Sequence, residues 1–108
     1  MGQPAIVLFS GRWCGACAAM QPVWQSFVKG YRGPLRLVYV DVDELESPQY
    51  KTYARLWEQD RQMPQVCLVD ARGALQARLP GLLTLQQLSR LGKQYEHKKR
   101  PDPKVRLE

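Results

Sequence analysis

Cys14 and Cys17 stand three residues apart in Trp13-Cys14-Gly15-Ala16-Cys17, a spacing that admits two kinds of chemistry. Two thiols one helical turn apart can exchange with a disulfide, or they can form half of a zinc site. Exchange needs a thiolate, because only the ionised sulfur attacks. Cys14 follows an apolar run and comes where a helix is expected to begin, so its sulfur should face unpaired backbone N–H groups and the positive end of the helix dipole. Cys14 therefore reads as a nucleophile. Cys17, one turn on, reads as the thiol that attacks Cys14 in a mixed disulfide and releases the reduced partner, and the reverse order would donate a disulfide. No cofactor is required. A structural zinc needs four ligands, and the remaining candidates, Cys67 and His97, form no second close pair. Cys67 falls in an apolar run and reads as a small buried hydrophobe, and His97 reads as a solvated side chain in a basic tail.

The elements that must position the pair can be read from periodicity. Ala5-Ile6-Val7-Leu8-Phe9 is a continuous apolar run ending at Ser10-Gly11, as expected of a strand buried on both faces. Met20, Val23, Trp24, Phe27, Val28 and Tyr31 recur at three and four residues and predict one helical stripe, ending near Gly30 or Gly33, with Pro22 kinking the helix. Leu35 to Val42 predicts a second strand, parallel to the first across the helical crossover. Ser47 and Pro48 suit the cap and first position of a helix to about Glu58. Two short strands, Val66 to Val69 and Ala74 to Leu79, flank Asp70-Ala71-Arg72-Gly73, a turn sequence that predicts an antiparallel hairpin. Thr84 and Gln87 form a capping box, with Leu85, Leu88, Leu91 and Tyr95 on the inward face of a last helix. The order is βαβαββα: an α/β fold with a central mixed sheet of about four strands flanked by helices.

At 108 residues, 44% hydrophobic and 24% charged, the chain suits one soluble domain with a real core. The domain is expected over residues 1–96, followed by a basic, disordered tail over 97–108. Much of the net charge of +6 sits in that tail region, and a solvated tail explains it without a nucleic-acid partner. No run approaches the roughly 18 apolar residues that a spanning helix needs, so no membrane insertion by this domain is expected. Met1-Gly2 and Leu107-Glu108 have the character of vector junctions, so a removed export signal or membrane anchor would leave no trace. The compartment stays open, with the periplasm or a membrane tether placed ahead of the cytoplasm.

The segment Phe9-Ser10-Gly11-Arg12-Trp13-Cys14-Gly15-Ala16-Cys17 resembles the active-site loop of the thioredoxins and their relatives, whose usual form is Trp-Cys-Gly-Pro-Cys. Pro22 resembles that family's helix proline, Met63-Pro64 its cis-proline turn, and Gly81 its late glycine. The resemblance covers about residues 5–96 and implies a thioredoxin-like fold with catalytic Cys14 and Cys17. It also implies a substrate surface of Trp13, Gly15, Ala16, Met63, Pro64 and Gly81, with the Met63 backbone pairing to an extended substrate segment. Partners are then protein thiols and disulfides and a redox protein that recharges the pair, the chain itself being a monomer.

Several positions depart from the family. The buried aspartate six residues before the first cysteine is Leu8 here, and its lysine partner is Tyr39, which removes an obvious proton acceptor near Cys17. Ala16 replaces the proline between the cysteines. The strand and helix that precede the active-site strand in full thioredoxins are missing, and the stretch from Asp43 to Pro64 is longer, predicting extra helical turns or a longer exit loop. A glutaredoxin is a weaker match, its usual dipeptide being Pro-Tyr. Asp41, Asp43, Glu44 and Glu46 read as solvated acids near a helix start. The expected function is thiol-disulfide exchange, as a reductant rather than an oxidant; the alternative is a non-catalytic module that binds proteins through Trp13 and Met63-Pro64.

Overall fold

The computed structural model describes residues 3–99. Its elements are β1 (Ala5–Ser10), α1 (Gly15–Gly30), β2 (Arg36–Asp41), α2 (Pro48–Glu58), β3 (Gln65–Val69), β4 (Leu75–Pro80) and α3 (Leu85–Lys99). The βαβαββα order and the mixed four-stranded sheet agree with the periodicity. The strands lie in the order β2-β1-β3-β4, with β1 parallel to β2 and antiparallel to β3, and β3 antiparallel to β4. Both central strands are buried along their whole length, which is why β1 shows an unbroken apolar run rather than alternation.

Two apolar clusters flank the sheet. On one face Ile6, Leu8, Val66 and Leu68 pack with Met20, Trp24 and Phe27 of α1 and Leu88, Leu91 and Tyr95 of α3. On the other, Val7, Phe9, Val38, Val40, Cys67 and Val69 meet Tyr50, Tyr53, Leu56 and Trp57 of α2. Burying one such side chain contributes roughly 1.5 to 3 kcal/mol relative to leaving it exposed. The alternation of β1 therefore places Leu8 and Ser10 under α1 and Val7 and Phe9 under α2.

Local signals act as their chemistry dictates. Ser47 caps α2, its side chain accepting from the Tyr50 N–H, with Pro48 in the first turn. In the capping box the Gln87 N–H donates to Thr84 Oγ1 at 3.1 Å and the Thr84 N–H to Gln87 Oε1 at 2.8 Å. Gly73, at φ +86°, completes the hairpin turn.

Two faces were misassigned by periodicity. Val28 is 44% exposed and Leu85 is 45% exposed. Val28 lies beyond the arc of α1 that meets the sheet, and Leu85 belongs to a first turn that precedes the buried part of α3. Leu83 takes the inward place instead: it is buried just before the cap and joins Leu88 in the same cluster, the arrangement of a hydrophobic staple. α2 stops at Glu58, so the stretch before Pro64 is an exit loop. In it Arg61 adopts φ +61° and sets its guanidinium 5.4 Å from the Trp57 ring. α3 continues to Lys99, three residues past the expected end of the domain. The rest of the tail and the His97 side chain lie outside the described residues.

Candidate active site

β1 ends at Ser10, and Gly11, Arg12 and Trp13 carry the chain to Cys14, the N-cap of α1. Cys14 has extended backbone angles, φ −106° and ψ 116°, as N-caps do, and this turns its side chain back over the first helical turn. Cys14 Sγ accepts the Cys17 N–H at 3.0 Å. Sulfur thus fills the role usually taken by a serine or aspartate oxygen. On its other side Cys14 Sγ lies 3.7 Å from the Met63 carbonyl oxygen, to which the thiol donates.

Met63 belongs to a second loop that meets the first. The Met63-Pro64 peptide is cis, and Pro64 is fully buried at the start of β3. The Pro64 carbonyl accepts the Gly81 N–H at 2.8 Å, and Gly81 has φ +93°, a conformation costly for any residue with a Cβ. Gly11 supplies the close approach between the loops: a Cβ there would come within 3.0 Å of Met63 Cε and 3.1 Å of its Sδ. The structure thus brings Cys14, Cys17, Met63, Pro64 and Gly81 to one end of the sheet. Trp13 stands beside them 90% exposed, Leu82 follows Gly81 at 54% exposed, and Gly15 and Ala16 are on the surface.

The two cysteines differ in environment. Cys14 is half-buried and Cys17 is buried, and all three cysteines of the chain are free thiols. Burial pushes the Cys17 thiol up, and its hydrogen bond with Cys14 adds to this, while the Gly11 amide and the Ser10 hydroxyl pull it down. Leu8 faces Tyr39 across β1 and β2, so the place of the family's aspartate is apolar. Cys67 lies in the cluster under α2, where burial pushes its thiol up to about 11, against the lowering effect of Arg78. Among the described residues no group of three or more His, Cys, Asp or Glu side chains is placed to hold a metal ion.

Two residues to which the sequence pattern assigns no role, Arg12 and Ser10, adjoin the cysteines. Arg12 donates its backbone N–H to Asp43 Oδ2 at 2.9 Å, and its guanidinium pairs with Asp41 and Glu44. The acidic cluster is therefore engaged rather than simply solvated: three of its members fasten the loop before Cys14 to the end of β2 and the turn after it, and Glu46 pairs with Lys51. Ser10 is buried and borders the same recess as Cys17. A recess of about 200 Å³ beside the cysteines is lined by Ser10, Gly11, Cys17, Gln21, Tyr39 and Asp41, among others. The only advance signal was a polar residue closing an apolar strand, and its meaning depends on register across β1 and β2.

Comparison with known proteins agrees with this architecture. The thioredoxin family profile matches residues 1–91. Among solved structures, the malaria parasite's thioredoxin-2, described as a component of its protein secretion machinery, has a TM-score of 0.68 at 24% identity, with 85% of this chain and 82% of that one covered. Oxidised mitochondrial thioredoxin 3 from Saccharomyces cerevisiae has 0.65 at 24%, covering 87% and 80%. StoA from Bacillus subtilis has 0.62 at 23%, covering 81% and 80%. At these identities the likeness is one of fold. Among curated proteins no relative matches. A profile that spans the sheet, both cysteines and the Met63-Pro64 turn leads to one conclusion: the chain belongs to the thioredoxin family.

Proposed function

We propose that the chain is a dithiol-disulfide exchange enzyme acting on protein substrates, with Cys14 as nucleophile and Cys17 as resolving thiol. The observation that carries the reading is the Cys14 sulfur at the start of α1, held 3.0 Å from the Cys17 N–H and open to the surface on a loop bearing an exposed Trp13. In the reducing direction the Cys14 thiolate attacks a substrate disulfide, forms a mixed disulfide and expels one substrate thiolate, which takes a proton from solvent. Cys17 then loses its proton and attacks Cys14 Sγ. The Cys14–Cys17 disulfide forms, the second substrate thiolate leaves and is protonated, and two electrons have passed to the substrate.

The surrounding residues have matching roles. Trp13 and Leu82 offer exposed apolar surface, Gly15 and Ala16 are open to solvent, and the Met63-Pro64 turn, held by the Gly81 N–H, offers main chain to an extended substrate segment. The reducing direction is supported by Arg12. Its charge is balanced by Asp41 and Glu44 rather than spent on sulfur, and a reduced form without added anion stabilisation makes the weaker oxidant. A protein thiol donor is needed to recharge the pair.

Reduction of insulin disulfides by the wild type and by Cys14→Ser tests the proposal. Activity in the wild type and its loss in the variant are expected. Equal activity of the two, with protein binding through Trp13 retained, would select a non-catalytic binding module instead. Direction follows from the couple's potential, read by Trp13 fluorescence in dithiol buffers. A value near about −270 mV fits a reductant, and one of about −120 to −180 mV fits a donor or isomerase.

A further inference from the structure

Resolution of the mixed disulfide has an unmet requirement. Cys17 is buried and held up by that burial, so its proton must leave along a defined route. The family's carboxylate position is occupied by Leu8, which is apolar and buried. Two residues further along β1, on the same face, Ser10 is buried and lines the same recess as Cys17. Ser10 is the register partner of Asp41 on parallel β2, as Leu8 is of Tyr39, so the side chains of Ser10, Tyr39 and Asp41 rise on one face of the sheet. Together with Gln21 they line the recess of about 200 Å³, several times the roughly 30 Å³ share of a water molecule. Its polar frame is fixed: Gln21 Nε2 donates to the Tyr39 hydroxyl, and Asp41 is held by Arg12 and by the Asp43 N–H at 2.8 Å.

We propose that Ser10 is a further catalytic residue, relaying the Cys17 proton through its hydroxyl to water in the recess bounded by Gln21, Tyr39 and Asp41. The inference rests on the exchange reading above and adds the group that serves its second step. Ser10 Oγ accepts the thiol proton while its own proton passes to a recess water and on to solvent, leaving serine unchanged and Cys17 as the thiolate. The thiolate forms the S–S bond with Cys14 Sγ, and the departing partner thiolate takes up a proton from solvent, so one proton leaves and one returns. Asp41 is a positioning residue here: fixed at both oxygens, it orients water instead of keeping the proton. The titratable or charged groups facing this route are Cys14 and Arg12 on the loop and Tyr39 and Asp41 on β2.

Ellman's disulfide separates the steps on one trace. Attack by Cys14 releases a first thionitrobenzoate, and resolution by Cys17 releases the second. The second-phase rate divided by the first is measured for the wild type, Ser10→Ala and Ser10→Thr across pH, in H2O and D2O. For Ser10→Ala the ratio should fall at least about 10-fold. This is less than the roughly 100-fold of a directly placed base, because water entering the recess replaces part of the hydroxyl's role. The second-phase pH profile should move to higher pH, and Ser10→Thr should restore both. The wild-type solvent isotope effect on the second phase should be lost in Ser10→Ala. A ratio within twofold of wild type in Ser10→Ala, or a lowered ratio with an unmoved pH profile, overturns the relay. A wild type that releases only one thionitrobenzoate per chain overturns the exchange reading itself, a distinct failure.

Discussion

The three thiols divide the chain's chemistry by environment rather than by residue type. Cys14 is half-buried at a helix start, whereas Cys17 is 2% exposed and Cys67 is 0% exposed. Only thiolates alkylate, and they must be reached. Brief treatment of the reduced native protein with iodoacetamide near neutral pH should therefore attach one group, at Cys14. The same treatment in denaturant should attach three, and intact mass with peptide mapping reads both. Native labelling at Cys67 ahead of Cys14 would contradict the packing. The sequence already showed the pair and its order, because the spacing and the strand before it are local features. It could not show that Ser10 and Cys17 border one recess with Tyr39 and Asp41, or that Arg12 gathers Asp41, Asp43 and Glu44 from 29 to 32 residues away. Those contacts exist only once β1 and β2 are in register. Arg12→Ala should loosen the loop before Cys14 without unfolding the chain, since its ion pairs are exposed and screened by solvent. The expected readout is an unchanged melting temperature with faster quenching of Trp13 fluorescence.

At the scale of elements, caps and turns were the most legible features. A Ser-Pro pair, a Thr-x-x-Gln box and a glycine in a tight turn act through neighbours two or three residues away. Helix faces were less legible: Val28 and Leu85 satisfy an apolar spacing and still face outward, because which arc of a helix is covered depends on where the sheet ends. The junctions can be tested directly. Thr84→Ala removes one half of the reciprocal pair at the start of α3 and should cost about 1 kcal/mol in denaturant unfolding. Gly81→Ala places a Cβ on backbone at φ +93° and should cost about 1 to 2 kcal/mol or more. It should also slow disulfide exchange, because Gly81 holds the Pro64 carbonyl beside the site. Loss of stability with full exchange activity would detach Gly81 from the active surface.

At the scale of the whole molecule the sheet separates two chemistries. The exchange pair lies at one end, on the side of α1, while Cys67 is enclosed under α2 with Val7, Val38 and Val69. The parallel crossover and the hairpin were legible from connection lengths and turn residues. The β1–β3 pairing that joins them was not, because no local pattern specifies which strands become neighbours across 56 or more residues of chain. That pairing encloses Cys67 opposite Val7 and gives the fold a pH limit. The Cys67 thiol titrates at 9.0 when unperturbed and about 11 in the fold, so between these values the unfolded chain has released a proton that the folded chain keeps. Unfolding is then favoured by rising pH. The contribution is fully present below pH 9 and is lost as pH climbs to about 11. Cys17 shifts in the same direction, so the measurement must be a difference. Cys67→Ala should melt lower than wild type at pH 7 because it opens a small cavity, and its melting temperature should fall less steeply from pH 9 to 11. Curves that stay parallel over that window would mean that Cys67 ionises freely in the folded protein, and that the sheet does not enclose it.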